Sequence, residues 1–153
     1  MNRSLIAAVL FAGCVSVPAT GRITFESGSI ITTGYTHHAP DTLRDTPTAS
    51  GSFESLSTGL SIGYAAFTYG LSFAEPSFLT RRGDTVIWTR RSSSGRTRRI
   101  TTLYTDQFHH RTLCISFPDG GPTNFIIESP TPEQIAEAER FVSTFIPRST
   151  NDA

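Results

Sequence analysis

The sequence predicts an α+β fold: an antiparallel β-sheet meander of about six or seven strands with one C-terminal helix packed on a face. Three observations carry this. Ser and Thr together number 40 of the 153 residues, and Phe numbers 11, a composition that suits hydroxyl-faced strands over a packed core. Apolar and polar residues alternate along the middle of the chain, most cleanly in Thr112-Leu113-Cys114-Ile115-Ser116-Phe117, which is the period of a strand. Near the C-terminus the period changes to that of a helix, behind a Thr-x-x-Gln capping box.

The first element is read as an export signal over residues 1–19. Arg3 precedes an apolar run over 5–15, and Val17-Pro18-Ala19 supplies small residues at the exit. The run is shorter than the roughly 20 residues a membrane-spanning helix needs. Inside it, Leu10-Phe11-Ala12-Gly13-Cys14 resembles the lipobox of bacterial lipoproteins. In that family the cysteine is diacylated and becomes the mature N-terminus. Ala12, Gly13 and Cys14 match the pattern, and Phe11 stands where leucine is usual. The resemblance implies a lipid anchor at Cys14 and a place in the periplasm or cell-envelope membrane. Plain cleavage after Ala19 is the alternative, and it implies secretion.

Residues 20–148 are expected to form one domain, followed by a disordered tail over 149–153. Strands are expected over 22–26 and 29–35, then a loop over 36–51 rich in Pro, Asp, Thr and Ser. Strands resume over 53–59 and 62–73. In the latter, Phe67, Tyr69, Leu71 and Phe73 share one face, and Glu75-Pro76 ends the run. Residues 85–91 and 96–104 read as a hairpin around Ser92-Ser93-Ser94-Gly95. Residues 110–117 and 123–128 form another around the Asp119-Gly120-Gly121 turn. In the final helix Thr131 caps, Pro132 starts, and Ile135, Ala138, Phe141, Val142 and Phe145 form the apolar stripe up to Pro147. Cys114 shares a strand face with Thr112 and Ser116 and reads as a small, semi-buried side chain.

All 13 cations are arginine, against 13 acids. Zero net charge excludes nucleic-acid binding driven by bulk charge, and two cysteines exclude a disulfide scaffold. The charge is unevenly placed. Residues 20–80 sum to −3, residues 81–111 to +6 and residues 112–153 to −4. The basic segment repeats Thr-Arg-Arg from Thr80, Thr89 and Thr97. Arg90, Arg91, Arg96, Arg98 and Arg99 are expected around the hairpin tip, with Arg81 and Arg82 at the far end of the strand. Guanidinium groups capture phosphate or carboxylate in a bidentate manner, so this hairpin is the expected surface for an anionic envelope component or acidic partner protein. The alternative is a hairpin neutralised by Glu133, Glu137 and Glu139 of the helix, or an edge blunted by charge.

A catalytic reading rests on Gly59-Leu60-Ser61-Ile62-Gly63, a Gly-x-Ser-x-Gly spacing. Asp84 or Asp106 and His109 or His110 follow in the order of a serine hydrolase. That motif needs a strand, a sharp turn and a helix, whereas the residues after Gly63 read as a strand. The pairs His37-His38 and His109-His110 lack metal-ligand spacing. There is no phosphate loop, dinucleotide fingerprint or paired-carboxylate motif, so neither cofactor nor metal is expected. Arg82-Gly83-Asp84 reads as a turn. The sequence therefore points to a small exported envelope protein acting by binding or assembly, with a serine hydrolase using Ser61 as the alternative.

Overall fold

Alternation along 111–117 places Leu113, Ile115 and Phe117 in one hydrophobic core and Cys114 in a second, on opposite faces of the same strand. The computed structural model describes residues 14–18, 21–25, 27–40, 50–66, 70–119 and 121–148. In chain order its elements are β1 Cys14–Pro18, β2 Arg22–Phe25, β3 Gly28–Ile31, β4 Tyr35–Pro40, β5 Ser50–Ser55, β6 Ser61–Ala66, α1 Pro76–Arg82, β7 Thr85–Ser94, β8 Thr97–Thr105, β9 Arg111–Phe117, β10 Thr123–Glu128, α2 Pro132–Val142 and β11 Ile146–Pro147. The fold is α+β. Eight antiparallel strands run in the order β1-β4-β5-β6-β10-β9-β8-β7, and a second sheet runs β11-β3-β2. Residues 1–13 and 19 of the expected leader, residue 20, and the tail 149–153 lie outside the described residues.

The main core joins α2 to one face of the large sheet. Phe53, Ile62, Leu113, Phe125 and Val142 are among its fully buried side chains. Helix α2 begins as expected: the Thr131 hydroxyl accepts the Gln134 N–H at 3.2 Å, and the Gln134 side chain accepts the Thr131 N–H at 3.0 Å. It ends at Val142 rather than at Pro147. Ser143 and Thr144 turn their hydroxyls back to the carbonyls of Arg140 and Phe141. Phe145 therefore enters the core from beyond the helix, and Ile146–Pro147 pairs with β3.

The other face carries a smaller core of Ala74, Leu79, Ile100, Tyr104 and Cys114, covered by a helix the sequence reading lacked. Glu75-Pro76 reads as a strand breaker, but Pro76 occupies the first helical turn, where its missing N–H is harmless. Gly83 closes α1 in the left-handed region at φ 88. Of the expected strand over 62–73, the described strand is β6, Ser61–Ala66. Leu71 and Phe73 belong to the turn leading into α1, while Phe67 and Tyr69 lie outside the described residues.

Buried polar groups on β8, β9 and β10 fasten that turn. The Asn124 amide oxygen accepts the Phe73 N–H at 2.8 Å, and the Ser116 hydroxyl accepts the Ala74 N–H at 2.9 Å. The Thr102 hydroxyl donates to the Ala74 carbonyl at 2.5 Å. The hydroxyl-bearing face of β9 is thus the docking face for residues 71–74.

The expected loop over 36–51 also needs correction. Residues 35–40 and 50–55 are strands, and only 41–49 fall outside the described residues. Strand β4 is poor in aliphatic residues because Tyr35 and His37 fill its core-facing positions. The Tyr35 ring lies 4.1 Å from that of Phe141, and the His37 ring stacks 5.0 Å from that of Phe53.

Candidate functional site: the arginine hairpin

Strands β7 and β8 pair from Thr85↔Thr105 to Ser94↔Thr97, so the turn is Gly95-Arg96 and the strands extend through the serines. The ladder between β8 and β9 runs from Thr105↔Arg111 to Ile100↔Ser116. Residues 92–99 therefore overhang the sheet as a two-stranded tip. Arg81 and Arg82, expected on the strand, stand instead in the last turn of α1.

Adjacent residues on a strand point to opposite faces, so each Arg-Arg pair is split. Arg90 lies on the α2 side: its guanidinium is 3.0 Å from Glu139 and sits over the Trp88 ring at 4.3 Å. Arg91 lies on the α1 side and holds both oxygens of Glu75, at 2.5 and 3.2 Å. Arg98, on the same side, grips Asp119 through its backbone N–H at 3.1 Å, Nε at 2.9 Å and Nη2 at 2.5 Å. The Arg98 pairing holds the Asp119 carboxyl below its ordinary range. The Arg82 Nε lies 3.1 Å from the buried Asp84 carboxylate. That Arg82-Gly83-Asp84 turn is a helix cap whose Asp84 side chain is sealed from solvent.

Arg96 and Arg99 differ from these. Among the described residues neither has a carboxylate partner. Arg96 is exposed at the turn. Arg99 lines a shallow depression of about 420 Å³ with Ser94, Thr97, Phe117, Ser143 and Ile146. Of the five hairpin arginines, Arg90, Arg91 and Arg98 are taken up by long-range pairs, and Arg96 and Arg99 are left. The structure thus gathers Arg90, Arg91, Arg96, Arg98 and Arg99 on one hairpin but divides them between two faces and two electrostatic states. No sequence signal distinguishes Arg98 from Arg99, because Asp119 and Glu75 meet their arginines only through the fold.

Cys14 opens β1, paired with Pro40. Cys114 is fully buried, and burial pushes its thiol up to about 12.

Ser61 is exposed at the start of β6, on an open groove of about 700 Å³ shared with Gly59, Gly63, Glu128 and Gln134, and no histidine lines that groove. His109 and His110 occupy the β8–β9 turn, and β10 stands between β6 and β9. A strand, not a helix, follows Ser61. His110 instead sits 3.5 Å from Asp106. The Asp106 carboxyl, held low by the backbone N–H of His110 and then of Phe108, braces that turn. His38 lies 3.3 Å from Glu54. Among the described residues no three of His, Cys, Asp and Glu come together as metal ligands, and no helix is long and apolar enough to cross a membrane.

No family model matches the chain, and neither does any curated protein or solved structure.

Proposed function

We propose that the protein is an exported cell-envelope component, lipid-anchored through Cys14, that acts by binding or assembly and engages an anionic partner through the tip of its β7–β8 hairpin. The observation that supports this reading is that Arg96 and Arg99, on a segment that overhangs the sheet, have no carboxylate partner among the described residues. The serine hydroxyls of 92–94 add neutral donors beside the guanidiniums.

Two measurements test the reading. Poly-glutamate titrated against the protein at low ionic strength should bind and be released by salt. Arg96→Gln with Arg99→Gln should weaken it by more than tenfold, and Arg98→Gln should weaken it far less. Equal binding by all three proteins would remove the hairpin as the site. Intact mass of the protein from its host's membrane fraction should show a chain beginning at Cys14 and carrying a diacylglyceryl group. A soluble chain beginning at Thr20 would remove the anchor.

A further inference from the structure

The strand registers place the anchor and the arginine tip at the same end of the large sheet. Cys14 pairs with Pro40, and β4 pairs with β5 so that His38 faces Ser52. Ser50 faces Ala65, Ala66 faces Thr123, and Thr123 faces Phe117. Ser116 then faces Ile100, and Ile100 faces Arg91. Followed strand by strand, this row runs along one end of the sheet from Cys14 on one edge to the base of the tip on the other. Counted along the sheet, seven strand spacings lie between the two edges, a path of about 34 Å at 4.8 Å each. The tip extends about 10 Å past the row, three residues at 3.3 Å. The turns carrying Leu56 and Phe108, the two most exposed large apolar side chains among the described residues, are at the opposite end of their strands.

From this placement we infer that the anionic partner is a lipid bilayer surface: acyl chains on Cys14 tether the chain, and headgroup phosphates at Arg96 and Arg99 hold the hairpin tip against it. The inference rests on the lipid-anchored reading above and names the partner of the same hairpin. A membrane anchored at Cys14 is already at high effective concentration around the tip. Guanidinium forks match phosphate oxygens bidentately, and residues 92–99 contain no acid to repel them. Each arginine near an anionic leaflet strengthens attachment about fivefold, hence about 30-fold for the two. The β8–β9 turn carrying Phe108, at the other end of the strands that form the tip, faces away from the bilayer.

The test uses the lipidated protein from host membranes, reconstituted into phosphatidylcholine vesicles with or without phosphatidylglycerol and with a headgroup-bound quencher. A fluorophore at Ser94→Cys reports the tip, since Cys14 is acylated and Cys114 is buried. A second at Gln107→Cys reports the far end. The expected result is quenching at 94 and none at 107 in anionic vesicles. It should fall to the level of neutral vesicles in 0.5 M salt or in Arg96→Gln with Arg99→Gln. Quenching at 107 instead, or no dependence on anionic lipid or on the two arginines, overturns the inference. If poly-glutamate still binds through Arg96 and Arg99 while 94 stays unquenched, the partner is an acidic protein and only the bilayer assignment falls. If neither probe depends on them, both readings fall together.

Discussion

His37 Nε2 lies 2.8 Å from the phenolic oxygen of Tyr64, a side-chain hydrogen bond enclosed by the main core. Burial, and then the neighbouring charge of His38, hold the His37 pKa below the usual 6.5. The folded ring is neutral where an unfolded one begins to take up a proton. The unfolded state therefore binds more protons below pH 6.5, and stability falls as pH drops from there until the folded ring also protonates. Urea midpoints between pH 7.5 and 5 should decline with a slope of at most about 1.4 kcal/mol per pH unit from this residue. His37→Gln should flatten that window. The depressed carboxyls of Asp106 and Asp119 act only at lower pH, below about 4.

Phe53 is fully buried, with ring contacts to Phe25, His37, Tyr64 and Phe141. Phe53→Ala should cost roughly 3–5 kcal/mol, measured by chemical denaturation. The cavity would sit where β4, β5, β6 and α2 meet, so poor folding at 37 °C is the accompanying outcome.

Ser116→Ala leaves the Ala74 N–H without its acceptor and removes one of the two donors to the Asn124 amide oxygen, the Phe73 N–H being the other. The expected loss is about 1–3 kcal/mol. Hydrogen exchange should localise it, with faster exchange at Phe73 and Ala74 and little change at Phe53.

The Cys114 thiol should ignore a disulfide thiol reagent at pH 8 in the native Cys14→Ser protein and react once denatured. Full burial both blocks access and keeps the group protonated. Rapid native labelling would show that the α1 cover opens.

Arg90 and Glu139 join the hairpin to α2 with both side chains partly exposed. A double-mutant cycle to alanine should return a coupling of about 0.2–1 kcal/mol, weakened by salt. A larger value would make this pair a determinant of how the hairpin is held.

Which parts of this fold were legible follows from where the information resides. The capping box of Thr131 and Gln134 and the alternation over 112–117 are local patterns, and both appear in place. The two Phe-Glu-Ser runs at 25–27 and 53–55 carry no such pattern. Helix α1 was hidden because Glu75-Pro76 supports both a strand end and a helix start, and the alternating aromatics before it favoured the former. Strand β4 was hidden because histidine at 37 does the work of an aliphatic residue. The arginines were legible as a charge segment but not as individuals. Arg91 meets Glu75 across 16 residues and Arg98 meets Asp119 across 21, and only the tertiary fold reveals which guanidiniums are satisfied.

Strand β1 belongs both to the large sheet and to the stretch that reads as an export leader. The two candidate cleavage positions therefore decide more than attachment. Cut ahead of Cys14, the chain keeps β1, and β4 is an inner strand paired on both sides. Cut after Ala19, it loses β1, and the outer rim of β4 is left with a row of bare main-chain donors and acceptors. Amide exchange along 36–39 distinguishes the two products, slow in the first and fast in the second. One processing event delivers a finished sheet; the other delivers a socket for any extended peptide able to add a strand.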